Sequence, residues 1–245
     1  MAILSHQSFL GVTKELMLLW LGVFSAYDDI PMIHHLLDFV FPRTSLSGVE
    51  GEWLTEEERR QLKVHPYVEW TEDLRARGLH SLDHLVAACH YQKDAHIQKA
   101  VHTFKYKRIP VLALDLARMI AEAADSVGRP TSIPLCAVPL HWTRQFARGF
   151  NQAELLAAEI SRVKKIPMAY HLLKRTRPTG HQAHRQRSAR LSSLHGAFSV
   201  GEGIVSERVV LIDDLSTTGA TLDECARVLK DAGAKWVEGW VVAQG

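Results

Sequence analysis

From about residue 85 onward, short apolar runs alternate with segments of helical spacing, and this alternation restricts the fold more than any other feature. "LVAACHY" is a strand-like run. "DAHIQKAVHTFKYK" and "PVLALDLARMIAEAADSVG" repeat apolar residues at helical intervals, the second with Pro110 at its start and Gly128 at its end. "SIPLCAVPL" predicts a strand, "NQAELLAAEISRVKK" a helix with basic residues in its last turn, and "ERVVLIDD" another strand. "GATLDECARVLKDAG" then predicts a helix and "KWVEGWVVA" a last strand. Strands that alternate with helices imply an α/β fold, a mostly parallel sheet with helices on both faces. A chain of 245 residues can hold one such domain with an appendage. The division expected is a small irregular or helical N-terminal region over residues 1–84 and the sheet domain over 85–245.

Upstream, "FVFPRTSLSGVEGEW" has loop chemistry, punctuated by Pro42, Gly48 and Gly51. "LTEEERRQL" predicts a short helix with Thr55 as N-cap, and "WTEDLRARG" a second from Thr71 to Gly78. The uninterrupted apolar stretch Leu16 to Ala26 is about half the roughly 20 residues that a membrane span needs, so it reads as a buried or partner-facing helix. A net charge of +2 is too small to argue for nucleic acid by itself. Cys89, Cys136 and Cys225 are far apart and form no CxxC pair, which argues against a disulfide framework and for a reducing, cytoplasmic setting.

The chemistry concentrates in "VVLIDDLSTTGATL". The strand is expected to end at Asp213 and Asp214, leaving both carboxylates exposed at the carboxyl edge of the sheet, where ligands of such folds bind. A helix then starts near Gly219. Backbone N–H groups at a helix start lack intrahelical partners and carry the positive end of the helix dipole. Ser216, Thr217, Thr218 and Thr221 add hydroxyls, and Gly219 removes a Cβ from the path of a ligand, so the loop is built as a phosphate nest. It has neither the GK[ST] of a Walker loop nor GxGxxG. Two carboxylates beside a phosphate nest suit a ligand with hydroxyls one sugar length from its phosphate, as in ribose 5-phosphate. The plainer alternative is a structural strand end with a capped helix.

This stretch resembles the 5-phosphoribosyl 1-diphosphate (PRPP) motif of type I phosphoribosyltransferases. "AVPLHWTRQFARGFNQAELLAAEI", "LLKRTRPTGHQAHRQRSARLSSLHGAF" and "AACHYQKDAHIQKAVHTFKYKRI" resemble, in order and spacing, elements of its ComF/GntX branch, over roughly two thirds of the chain. The resemblance implies a type I phosphoribosyltransferase fold. It assigns Asp213, Asp214 and Arg148 to the catalytic centre. It gives the 5′-phosphate to Ser216, Thr217, Thr218, Gly219, Ala220 and Thr221. It gives the diphosphate to Pro139, Leu140, Arg144, Arg148 and Gly149, and a flexible loop to Arg175, Arg177, Thr179, Gln182 and Arg190. Magnesium would ride on the diphosphate and ribose hydroxyls, with no metal held by protein side chains alone.

Beside these assignments stand plainer ones: a solvated basic turn with Asn151 as N-cap, and an ordinary basic loop over 174–190. Many relatives also carry an N-terminal zinc module. Here Thr44, Ser45, Ser47 and Thr55 stand where thiols would be, so the module is degenerate, no zinc is expected, and any fold there must rest on Phe39, Phe41, Trp53 and Leu54.

Two functions remain open at this point. One is an enzyme that transfers the phosphoribosyl group to an unknown acceptor. The other is a non-enzymatic DNA-uptake factor of natural competence, with PRPP or a nucleotide as effector. Its partners would be single-stranded DNA, met by the 174–190 loop and by Lys105, Lys107 and Arg108, or a DNA-uptake helicase. A third, weaker reading makes Leu16 to Tyr27 an adaptor helix.

Overall fold

The computed structural model describes residues 44–106, 112–130, 132–141, 143, 145–146, 149–177 and 194–245. The chain divides into two compact units, Met1–Glu56 and Glu57–Gly245. Within the first, Thr44 and Glu50 face each other across an antiparallel bridge. Ser45 N–H donates to Val49 O at 2.8 Å, and the Ser45 hydroxyl accepts from Val49 N–H at 3.2 Å and lies 3.2 Å from the Ser47 hydroxyl. Gly48, at φ 95°, closes the turn. Hydroxyl hydrogen bonds thus tie this turn together. Leu54 is buried and Trp53 half-buried; Phe39, Phe41 and the Leu16–Tyr27 stretch lie outside the described residues.

The second unit begins well before residue 85. Helix α1 (Glu56–Gln61) stands at the junction, followed by strand β1 (Tyr67–Glu69), helix α2 (Thr71–Ala76) and strand β2 (His84–His90). β1 pairs antiparallel with β2, which is why residues 67–84 belong to the sheet domain. Helix α2 starts at Thr71 as expected, with Trp70 as its N-cap: the Trp70 N–H is taken by the Asp73 carboxylate at 3.0 Å, while the Thr71 hydroxyl donates to Asp83 O at 2.8 Å.

Helix α3 (Ala95–Tyr106) follows, then α4 (Leu112–Ser126), β3 (Leu135–Ala137) and α5 (Gln152–Lys164). Strands β4 (Leu173–Arg175) and β5 (Phe198–Val200) form a small antiparallel sheet of their own. The chain ends with β6 (Arg208–Ser216), α6 (Ala220–Asp231) and β7 (Trp236–Gln244). The main sheet has the order β1-β2-β7-β6-β3, with every pairing parallel except that of the edge strand β1. Central parallel strands are covered on both faces and so read as unbroken apolar runs. Leu85, Ala87, Val209, Leu211, Val237 and Val241 share one core with Leu222, Cys225, Ala226 and Leu229 of α6. The opposite face of the sheet is packed by α4 and α5, which also pack on each other.

β6 does not stop at the aspartates. It stays paired with β7 through Leu215↔Ala243 and Ser216↔Gln244. The expected break at Asp214 is displaced by two residues because backbone pairing continues beneath polar side chains.

Candidate functional site

Consecutive residues of a strand point to opposite faces. Asp214 accordingly reaches back to α3, where Lys105 Nζ lies 2.8 Å from its Oδ1. Asp213 turns to the other side, where it feels the charge of Arg175 on β4. Both line a cavity of about 170 Å³ together with Lys105, Pro139, Leu140 and Arg175. The cavity opens at the carboxyl ends of the neighbouring parallel strands β3 and β6, where an α/β sheet takes its ligand.

Neither carboxylate stands at an exposed strand end. Asp214 is 5 % exposed and ion-paired. Asp213 is partly exposed on the cavity wall, and its Oδ1 accepts the Asp214 N–H at 2.8 Å. Burial, followed by the neighbouring Asp214 carboxylate, pushes Asp213 up to about 7, with Lys105 opposing the shift. Because the folded state holds this proton more tightly than the unfolded chain, the stability Asp213 contributes is present below the ordinary carboxylate value of 3.8 and is lost as pH rises through about 7. Urea denaturation at a series of pH values should record that decline, and Asp213→Asn should flatten it. An Asp213→Asn profile with the same slope would contradict the assignment.

A second, smaller cavity lies against the loop after β6, lined by Ser216, Thr217, Thr218, Gly219, Ala220 and Thr221. Asp213, Leu215 and Thr221 line both cavities, so the two adjoin. The Ser216 hydroxyl is buried and has no hydrogen-bond partner among the described residues, as befits a donor held for a ligand. Ala220 N–H reaches the Thr218 hydroxyl only at 3.4 Å.

Gly219 is the N-cap of α6 with φ 80°. The reason for glycine differs from that expected of the sequence. A Cβ here would run into Leu79 Cδ1 beneath the loop, and the left-handed backbone disfavours any side chain. The loop is also held from below by Arg77, whose guanidinium pairs with Glu69 and donates to Thr217 O at 3.1 Å. Asp223 Oδ1, in the first turn of α6, accepts from Ser81 and Leu82 N–H at 2.7 and 2.8 Å. The segment between β1 and β2 therefore forms the floor of the loop after β6. No local motif marks Arg77 or Leu79, because each acts across about 140 residues of sequence separation.

On the β3 side, Pro139 and Leu140 line the same cavity as the acidic pair. Asn151 is both the N-cap of α5, accepting Ala153 N–H at 3.1 Å, and a wall of that cavity, donating to Val138 O at 3.2 Å. Gly149 has φ 86°, a left-handed conformation that favours glycine, with open space around its missing Cβ. Arg144, Arg148, Thr179, Gln182 and Arg190 lie outside the described residues. Arg175 is not part of a surface loop. It belongs to β4, lies 5.0 Å over the Phe198 ring and lines the cavity. Arg177 is exposed and donates to His195 O. Lys105, offered by the sequence to single-stranded DNA, is only 17 % exposed and faces Asp214; Lys107 and Arg108 lie outside the described residues.

Among the described residues, no group of three or more His, Cys, Asp or Glu side chains could hold a metal ion, and no helix is long and apolar enough to cross a membrane. All three cysteines are buried free thiols, and burial pushes Cys89 and Cys136 up to about 12.

Residues 147–245 match the family described as Phosphoribosyl transferase domain. The chain is 32% identical over 171 residues to "Competence protein F" of Haemophilus influenzae, a match spanning 67% of this chain and 74% of that protein. It is 30% identical over 148 residues to "DNA utilization protein YhgH" of Escherichia coli strain K12, covering 59% of this chain and 65% of that one, just under two thirds of its length. With "Competence protein ComFC" of Streptococcus pneumoniae it shares 34% over 101 residues, 41% of this chain and 43% of that one. The parallel sheet, the acidic pair on β6, the loop beneath it and these matches have one reading: the chain belongs to the ComF family of type I phosphoribosyltransferase-like proteins.

Proposed function

We propose that this domain binds PRPP and passes its phosphoribosyl group to an acceptor. The observation that carries the reading is the junction of two cavities across Asp213 and Thr221, one lined by the acidic pair and the other by the Ser216–Thr221 loop. In this reading the 5′-phosphate takes the loop N–H groups and the Ser216 hydroxyl. The ribose hydroxyls donate to Asp213 and Asp214, and the diphosphate extends toward Pro139 and Leu140. Binding exchanges the Lys105–Asp214 contact for hydroxyl contacts, and Lys105 and Arg175 then supply positive charge to the departing diphosphate. As the bond from ribosyl C1 to the diphosphate oxygen breaks, the electron pair leaves with the diphosphate and the acceptor's lone pair takes its place at C1. The residues present fit magnesium carried in on the ligand: two hard carboxylate oxygen donors and no complete protein cage among the described residues. Magnesium would supply charge neutralisation on the diphosphate.

A second reading keeps the same ligand as an effector of DNA uptake or utilisation, and the printed names of the relatives support it. Single-turnover measurement of diphosphate release separates the two. Release that depends on an acceptor supports transfer; saturable PRPP binding without release, across a panel of acceptors, overturns transfer and leaves the effector reading.

A further inference from the structure

Glu224 sits one turn into α6 and lines neither cavity of the proposed site, yet it is only 8 % exposed. Arg227 donates to it twice, from Nε to Oε2 at 2.9 Å and from a terminal nitrogen to Oε1 at 2.8 Å. An i, i+3 ion pair of this kind is ordinary on a helix surface. The third donor is not: Gly196 N–H, which comes from another element, reaches Oε1 at 2.7 Å. Burial disfavours the charged form of Glu224, but Arg227 and the Gly196 N–H outweigh it and hold the carboxyl below its ordinary value. A charged acceptor thus joins α6 to Gly196.

Gly196 leads into β5. Among the described residues β4 and β5 pair only with each other, so no backbone ladder fixes this small sheet to the main one. Within it Arg175 and Phe198 are direct partners, and Thr176 N–H donates to Ala197 O at 2.9 Å. The Arg175 guanidinium lies 5.0 Å over the Phe198 ring and lines the cavity of the acidic pair. Phe198 is buried in the core that it shares with Cys225 and Leu229 of α6. Two links therefore run from α6 to Arg175: the packing of Phe198 and the hydrogen bond from Gly196 to Glu224. The same helix starts at the loop after β6, so α6 sets where Arg175 stands relative to that loop.

We infer that Glu224 is a positioning residue: through Gly196 and Phe198 it holds the Arg175 guanidinium at the cavity, where it meets the diphosphate of the bound ligand. The role toward the diphosphate rests on the PRPP reading above; the placement of Arg175 does not. Neither Glu224 nor Phe198 touches the ligand.

The experiment compares the full chain with Glu224→Ala, Glu224→Gln, Arg175→Met and the double variant Glu224→Ala/Arg175→Met. Glutamine keeps an oxygen for Gly196 N–H; alanine leaves that N–H without its acceptor. Phe198→Leu, which removes the ring but keeps a buried apolar side chain, serves in place of Glu224→Ala should that variant not fold. Two quantities are read: the Arg175 side-chain NMR resonances in the free protein, displaced by the Phe198 ring, and the affinities for PRPP and for ribose 5-phosphate, which lacks the diphosphate. In Glu224→Ala the resonances should move toward those of an exposed arginine. PRPP should bind about tenfold more weakly, the size of one charge-assisted contact, with ribose 5-phosphate unchanged. The double variant should lose no more than Arg175→Met, and Glu224→Gln should stay close to the parent. Resonances that keep their place in Glu224→Ala overturn the inference whether or not PRPP binds. Equal weakening of PRPP and ribose 5-phosphate, or a second tenfold loss in the double variant, also overturns it and leaves the PRPP site standing. If the parent chain binds neither ligand, the proposed function falls, and displaced resonances alone uphold the placement of Arg175 by Glu224.

Discussion

Replacing Asp213 and Asp214 together by asparagine is expected to weaken PRPP binding by about a hundredfold or more. Each carboxylate would accept a ribose hydroxyl in a charge-assisted hydrogen bond of about 1.5–3 kcal/mol, and each 1.4 kcal/mol is tenfold in affinity. The variant is not expected to be neutral for the fold. Asp214 is buried against Lys105 at 2.8 Å, so its loss leaves the ammonium beside a neutral amide. That costs about 1–3 kcal/mol of stability. Lys105→Met added to Asp214→Asn should recover most of the stability and none of the affinity, which separates the two effects. Calorimetric titration of the refolded variants checks both. A folded double variant that binds PRPP as the parent does contradicts the role of the acidic pair.

Gly219→Val should be nearly as damaging, by a different route. Its φ of 80° belongs to the left-handed region, and a β-branched residue held there costs about 1–3 kcal/mol. The Cβ also displaces Leu79, which supports the loop. The loop backbone, the proposed receptor of the phosphate, is thereby moved, and affinity for PRPP should fall at least tenfold. Ser216→Ala is the comparison. Its buried hydroxyl has no partner among the described residues, so removing it leaves stability unchanged or slightly raised. The loss in binding is that of one hydrogen bond, about 0.5–1.5 kcal/mol. Leu79→Ala in the Gly219→Val background makes room for the Cβ but leaves the φ strain, so recovery should be partial. If Gly219→Val binds as tightly as the parent, the backbone of this loop is not the phosphate receptor.

How much of this was legible in the sequence follows from the range of each interaction. The parallel sheet was legible because β2, β6 and β7 are largely buried and carry apolar runs, interrupted in β7 by the buried Glu238. Asn151 as a cap and Gly219 at the start of α6 were legible because capping is local. The three-residue strands β1, β4 and β5 are too short to show a period, so β1 was assigned to the N-terminal region and Arg175 to a surface loop. The extension of β6 past the acids was hidden by its polar side chains, although its pairing to β7 depends on backbone alone. Lys105 carries the same charge whether it faces solvent or Asp214, and only the packing of α3 against the end of β6 decides which. The residue before the helix, Gly219, was identified correctly, but its reason lies in Leu79, far upstream and recognisable only in three dimensions.

The most direct test of the central claim is calorimetric titration of PRPP into the full chain, with magnesium and with a chelator, followed by competition with ribose 5-phosphate. The account predicts one PRPP per chain, tighter binding with magnesium, and displacement by ribose 5-phosphate, which keeps both the phosphate and the hydroxyl contacts. Absence of binding to the folded chain under both conditions would contradict it.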